Sequence, residues 1–194
     1  EDAVDMSDTT TLTVGLRGDR WRAYDGSVGR LVAGAPVVGA YATREETSVS
    51  PKVSLQWQVA PGWQGQLSLA SATRFPTVGE LFQGRLDATG SFDINSFDPN
   101  LKAERSRDAN LILRTKVGEA RLTGSLFYQE VEDAIFQVSG FNQNGLVTNS
   151  YKNIDEVRQY GAEMIVEWTE VLPGLDIDAN AAWTDARTIR NAAL

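Results

Sequence analysis

Over most of this chain apolar and polar residues alternate one for one, and several stretches sustain the pattern for about twice the length of an ordinary strand. In the stretch from Lys52 to Val59, Val53, Leu55, Trp57 and Val59 alternate with Ser54, Gln56 and Gln58. From Ala120 to Glu130, Leu122, Gly124, Leu126 and Tyr128 lie opposite Arg121, Thr123, Ser125 and Gln129. From Tyr160 to Thr169, Tyr160, Ala162, Met164, Val166 and Trp168 oppose Glu163, Glu167 and Thr169; Leu175 to Trp183 repeats the pattern. Successive side chains of a strand point to opposite faces, so each stretch has one apolar and one polar face. No comparable stretch carries a helical stripe. The chain is therefore expected to be all-β.

The connections select among β architectures. Ala60-Pro61-Gly62, Lys116-Val117-Gly118-Glu119 and Val171-Leu172-Pro173-Gly174 read as tight turns. Between them come long connections over about Ala23 to Ser50, Phe75 to Ala103 and Ser139 to Ser150. Short and long in strict alternation put every tight turn at one end of the sheet, as in outer-membrane barrels, whose periplasmic turns are short and extracellular loops long. A tilted strand crosses a bilayer in about 9–11 residues, which these stretches reach. About seven strands follow on this pattern, near Thr9–Arg22, Pro51–Val59, Trp63–Arg74, Glu104–Thr115, Ala120–Val138, Tyr151–Thr169 and Leu175–Thr188. Single-chain bacterial barrels close with an even number of strands, and an open edge in lipid strands backbone groups without partners. The expected fold is an antiparallel up-and-down transmembrane β-barrel, present here as a partial barrel.

Aromatic placement agrees. Trp57 and Trp63 flank one tight turn and Trp168 precedes another, while Tyr128, Tyr160 and Trp183 lie on apolar faces toward strand ends. Aromatic girdles at both membrane interfaces give this distribution. The alternative is a soluble sheet with these rings in its core.

Charge and residue types remove other classes. The net charge of -8 argues against nucleic acid as a partner, which calls for a basic stripe. There is no Cys and no His, so disulfides, thiolate metal sites and His-dependent catalytic triads are excluded. The longest apolar run, Leu31 to Ala42, is broken by Gly34, Pro36 and Gly39 and is too short for a spanning helix. Glu1-Asp2-Ala3 has neither the basic nor the apolar region of a signal peptide, so either a signal was removed or the chain starts inside a longer one. Asp176 and Asp178 share a strand face with origins roughly 6.5–7 Å apart, and Glu163 and Glu167 share another. Acidic residues are expected on a hydrated lumen face without any catalysis. Asp93-Ile94-Asn95 with Asp98-Pro99-Asn100 fails the EF-hand pattern, because Phe97 and Asp98 fall where an oxygen ligand and a glycine are needed.

Several segments resemble the TonB-dependent outer-membrane receptors. Ser50-Pro51-Lys52-Val53-Ser54-Leu55 is similar to the strand opening of that family. Ala72-Thr73-Arg74-Phe75-Pro76-Thr77-Val78-Gly79-Glu80-Leu81-Phe82 resembles its element at the top of an upward strand. Asp98-Pro99-Asn100-Leu101-Lys102-Ala103-Glu104-Arg105-Ser106 is similar to the element that starts the next downward strand. Ser125-Leu126-Phe127-Tyr128 with Val131-Glu132-Asp133-Ala134-Ile135, Tyr151-Lys152-Asn153-Ile154, Gly161-Ala162-Glu163 and Gly15-Leu16-Arg17 follow in collinear order. Each element is weak alone; their shared order and spacing make the signal. Ala103 replaces a usual Pro, and Gln159-Tyr160 a common Arg, which bears on subfamily. The plug domain, the energy-coupling box and a terminal aromatic are not found, so an interior stretch of a single barrel domain is expected.

The resemblance implies active import of a scarce nutrient, such as a ferric siderophore or other metal chelate, energised by the TonB complex acting on a plug. Outer-membrane lipid would surround the wall, with no enzyme activity, cofactor or bound metal of its own. The chain would supply wall and rim. Rim candidates at a strand top are Arg74, Phe75, Glu80, Phe82, Gln83 and Arg85. Loop candidates that could close over a ligand are Phe92, Phe97, Phe141, Asn142 and Asn144. For Arg74 and Glu80 a loop-bracing ion pair is the competing reading. A passive porin-like barrel and a soluble β-sandwich binding domain stand as alternatives.

Overall fold

The structure is a computed structural model that describes residues 1–84, 96–141 and 147–190. In chain order its elements are β1 (Asp2–Ser7), β2 (Thr10–Ala23), β3 (Ser27–Val32), β4 (Ala35–Ala40), β5 (Arg44–Ala60) and β6 (Trp63–Arg74). The helix α1 (Val78–Phe82) follows, then β7 (Glu104–Val117), β8 (Ala120–Phe141), β9 (Val147–Leu172) and β10 (Leu175–Arg190). Eight strands form one antiparallel sheet in the order β1-β2-β5-β6-β7-β8-β9-β10, and β3 pairs with β4 as a separate hairpin. Among the described residues the sheet does not close on itself: β1 and β10 are its two edges. It is a portion of a barrel wall.

Residues directly opposite in an antiparallel ladder stand on the same face, so register shows how the alternation lines up across strands. One rank runs Val4, Leu12, Leu55, Leu67, Leu111, Leu126, Ala162, Trp183 across all eight strands. The next residue along gives Thr13, Ser54, Ser68, Asn110, Phe127, Gly161 and Thr184, a mostly polar rank on the other face. There the Ser54 and Ser68 hydroxyls bond at 2.9 Å and Gln66 donates to both. The apolar face is open: Met164 is 52% exposed and Trp183 58%. A continuous apolar surface across eight strands is far larger than a soluble monomer leaves bare, and it fits hydrocarbon as its surroundings.

The tight turns share one end of the sheet. Gly62, Gly118 and Gly174 each take positive φ there (77°, 61° and 81°), a conformation glycine adopts without steric cost. An open concavity of about 1020 Å³ lies toward this end, lined in part by Gln56, Gln64, Arg114, Arg121 and Glu167 of the polar face.

The sheet departs from the expected outline in three places. β1 adds a strand before the first one expected. The stretch 23–50 holds the β3–β4 hairpin and the start of β5 at Arg44 rather than a plain loop. β8 and β9 run through most of 139–150, up to Phe141 and from Val147. For the extension of β5 the cause is plain: over 44–48 every residue is polar, so the backbone stays extended while the two-residue hydropathy period vanishes.

Candidate functional site

At the end opposite the tight turns, the connection from β6 to β7 folds back against the polar side of the sheet and makes the rim. Pro76 fixes the approach and is buried. Thr77 then caps α1: its hydroxyl accepts from the Glu80 backbone N–H, and the Glu80 carboxylate accepts from the Thr77 backbone N–H at 2.8 Å. This reciprocal capping box lets a helix as short as five residues form. It also orients Leu81, 1% exposed, into a small core with Leu101 (0%) and Ile135 (8%). Trp21, Ala23, Phe82 and Tyr151 pack around them.

Arg74 fastens this element to the wall. Its Nη1 donates to both Glu80 oxygens at 3.0 Å each, and its Nε pairs with Glu104 on β7. The other Glu104 oxygen accepts from the Ile135 backbone N–H at 2.5 Å, beside Asp133, whose φ is 52°. The bond from Glu104, with Glu80 adding to it, raises the Arg74 pKa despite partial burial. Burial pushes the Glu80 carboxyl up, but the Thr77 N–H and hydroxyl and the Arg74 guanidinium outweigh it, and the pKa lies below the ordinary value.

A second fastening involves residues that the sequence patterns did not single out. Arg44 donates from Nη1 to the Pro99 carbonyl at 2.6 Å and from Nη2 to the Leu101 carbonyl at 2.9 Å. It also pairs with Glu46 at 2.9 Å and stands 5.4 Å from the Trp21 ring centre. Trp21 in turn stacks on Phe75, with centroids 5.7 Å apart and planes 6° from parallel. Asn153 holds Lys102 through both backbone groups, at 2.8 and 3.1 Å, and donates to the Asp133 carbonyl at 2.6 Å. Arg44 and Trp21 gave no signal because nothing in their own strands sets them apart. Leu101 and Asn153 were inside quoted motifs, and those motifs touch one another in space.

The rim therefore gathers Arg74, Phe75, Glu80 and Phe82, while Gln83 ends α1 as an exposed cap whose N–H bonds the Gly79 carbonyl at 2.7 Å. Phe82 and Phe97 join Tyr41 in a three-ring cluster with centroids 5.5 to 5.9 Å apart. Phe97 is 7% exposed. Phe141 is the last residue of β8. Arg85, Phe92, Asn142 and Asn144 lie outside the described residues. Among the described residues no group of three His, Cys, Asp or Glu is placed to hold a metal ion.

Long antiparallel strands with one bare apolar face, tight turns at one end and a folded rim at the other define a transmembrane β-barrel wall of the receptor type. The chain belongs to the TonB-dependent receptors: the family model described as TonB dependent receptor-like, beta-barrel matches residues 1–193. This family consists of outer-membrane receptors of Gram-negative bacteria, not of enzymes. No curated protein matches it. Among solved structures it is similar to the copper transporter OprC, at 21% identity over 96% of this chain and 29% of that one, with a TM-score of 0.76. The siderophore receptor PirA from Pseudomonas aeruginosa gives 14% identity over 96% and 33%, with a TM-score of 0.68. A double mutant of the Serratia marcescens hemophore receptor HasR, in complex with its hemophore HasA and heme, gives 18% over 95% and 32%, with a TM-score of 0.67. At these identities the likeness is one of fold. The chain spans about a third or less of each of these receptors.

Proposed function

We propose that this chain is part of the wall and outer rim of a single barrel domain that imports a scarce nutrient across the outer membrane of a Gram-negative bacterium, energised through TonB. The cargo class we favour is a ferric siderophore or another metal chelate. What supports the reading most is the rim itself. The family motifs around Arg74–Phe82, Asp98–Ser106 and Tyr151–Ile154 interlock through Leu81, Leu101 and Asn153 on the polar side of the wall. A passive pore needs an open lumen, whereas a receptor needs an ordered surface at its mouth that holds aromatic and charged groups in place for a ligand. Phe75, Phe82, Gln83, Arg74 and Glu80 are proposed as that surface on this chain, with Arg85, Phe92, Phe97, Phe141, Asn142 and Asn144 as its further candidates.

The test uses the full-length protein. Cells carrying it are supplied with radiolabelled iron on a panel of siderophores, with and without a working TonB. Uptake of at least one chelate that stops without TonB is the expected result. Uptake that is indifferent to TonB would replace this reading with a passive pore. A protein missing from the outer-membrane fraction would end the barrel proposal altogether.

A further inference from the structure

We propose that the β3–β4 hairpin and α1 open as one cooperative unit of the rim, with Tyr41 and Arg44 as the residues that couple them. The coupling goes beyond the receptor reading, which supplies its use: order imposed on α1 by a bound molecule is passed to the hairpin. The wall gives the hairpin no support of its own. Among the described residues its six-residue strands pair only with each other, and the wall strands form a separate sheet. A two-stranded hairpin alone is marginally stable at best in water. Its order therefore depends on what its base rests on.

That base rests on α1. Tyr41 closes the hairpin by donating its backbone N–H to the Gly26 carbonyl at 2.8 Å. The Phe82 ring fills the place that a side chain at Gly26 would take, for a Cβ there would lie 2.9 Å from the ring's Cζ. The Tyr41 ring packs on Phe82 and Phe97, with centroids 5.5 and 5.9 Å away. Phe82 is the last residue of α1. Unwinding the helix therefore takes one side of the hairpin's base with it.

Arg44 makes a second tie at the foot of the hairpin. It is the first residue of β5, and its guanidinium donates to the Pro99 and Leu101 carbonyls at 2.6 and 2.9 Å. It also lies over Trp21, whose ring stacks on Phe75. Residues of β2, β5 and the segment between them thus grip the β6–β7 connection near its start at Phe75, at Phe82, and near its end at Pro99 and Leu101. Leu101 in turn packs with Leu81 of α1. Opening either connection removes packing from the other, and an energy shared by two sites is felt equally from both. Free-standing loops would open independently.

The experiment is hydrogen exchange at single-amide resolution on the full-length receptor in mild detergent. The Tyr41 amide reports the hairpin base; the Leu81 and Gln83 amides, bonded to the Thr77 and Gly79 carbonyls, report α1. Thr77→Ala removes a cap that lies on α1 alone, and it should speed Tyr41 as well as Leu81, each about fivefold. Tyr41→Ala and Arg44→Gln should speed Leu81 and Gln83 by a similar factor, although neither residue belongs to the helix. Tyr41→Phe, which keeps the ring, should leave all three amides at parental rates. An effect of Thr77→Ala confined to α1 overturns the coupling, as does an effect of Tyr41→Ala confined to the hairpin. If Tyr41→Ala fails to reach the heat-shifted form, Arg44→Gln and Thr77→Ala decide. Uncoupled rates alongside TonB-dependent iron uptake sink the coupling alone; coupled rates alongside TonB-indifferent uptake sink the receptor reading alone.

Discussion

Arg74 and Glu80 are joined by a two-pronged contact, one guanidinium nitrogen lying 3.0 Å from each carboxylate oxygen, and the pair ties the first turn of α1 to the end of β6. The same carboxylate closes the capping box with Thr77. One side chain thus both starts the helix and anchors it, and the same Arg74 also reaches Glu104 on β7. Removing the carboxylate charge should loosen the rim without touching the sheet.

Thr77→Ala is expected to cost α1 about 1 kcal/mol, the usual worth of a helix cap, and Glu80→Gln, which keeps an acceptor for the Thr77 N–H but loses the ion pair with Arg74, about as much. Hydrogen exchange on the full-length receptor should show the amides of Leu81 and Gln83, which bond Thr77 and Gly79 carbonyls, exchanging about fivefold faster. Strand amides of β6 and β7 should keep their rates. Unchanged exchange at Leu81 would mean that packing alone holds the helix.

Acid should act on the same contact. The Glu80 pKa is lowered in the folded rim, so its contribution is fully present above the ordinary carboxylate range and is lost as pH falls through the folded value. Arg74 stays charged throughout, its pKa being raised. Protection of the α1 amides, corrected for intrinsic exchange, should be flat from neutral pH down to about 5 and fall below about 4. In Glu80→Gln that acid step should disappear.

The sheet was legible wherever one face meets lipid and the other water, because only there does hydropathy follow the two-residue backbone period. β6, β7 and β10 match the expected strands to within two residues at either end. Where both faces are polar, as over 44–48, the pattern has no contrast, and so the rimward end of β5 went unread. β1 is too short, at six residues, to show a period before it ends. α1 had a signal in Thr77 and Glu80 at capping-box spacing, but five residues offer no helical stripe. The rim's second clamp was hidden for another reason. Arg44 and the Pro99 and Leu101 carbonyls are 55 and 57 residues apart, and no local pattern reports such a contact.

Leu101 has no exposed surface and sits where α1, β8 and the start of β9 converge. Leu101→Ala is expected to cost about 2–5 kcal/mol locally, the range for deleting a buried leucine side chain. The rim can open while the ladders stay paired, so the barrel should still assemble and shift its mobility on heating. Limited proteolysis should then cut between residues 75 and 103 at least tenfold faster than in the parent, an energy of 1.4 kcal/mol or more. A variant that loses its heat shift would show instead that this core is required for the wall to form.

Gly161 sets the distance between β9 and β10. A Cβ there would lie 2.2 Å from the Trp183 carbonyl oxygen and 2.5 Å from the Phe127 ring. The ring could swing aside, but the oxygen belongs to the paired strand and cannot move without parting the ladder at Gly161 and Thr184. Gly161→Ala should therefore cost about 3 kcal/mol, the upper end for overpacking, and most of the receptor should fail to reach the heat-shifted form. Adding Phe127→Ala should not rescue it, because the backbone clash remains. Gly124→Ala is the control on the apolar face, where an added Cβ meets nothing within 4 Å, and it should assemble like the parent. Rescue by Phe127→Ala would place the obstruction in the ring and leave the spacing of β9 and β10 adjustable.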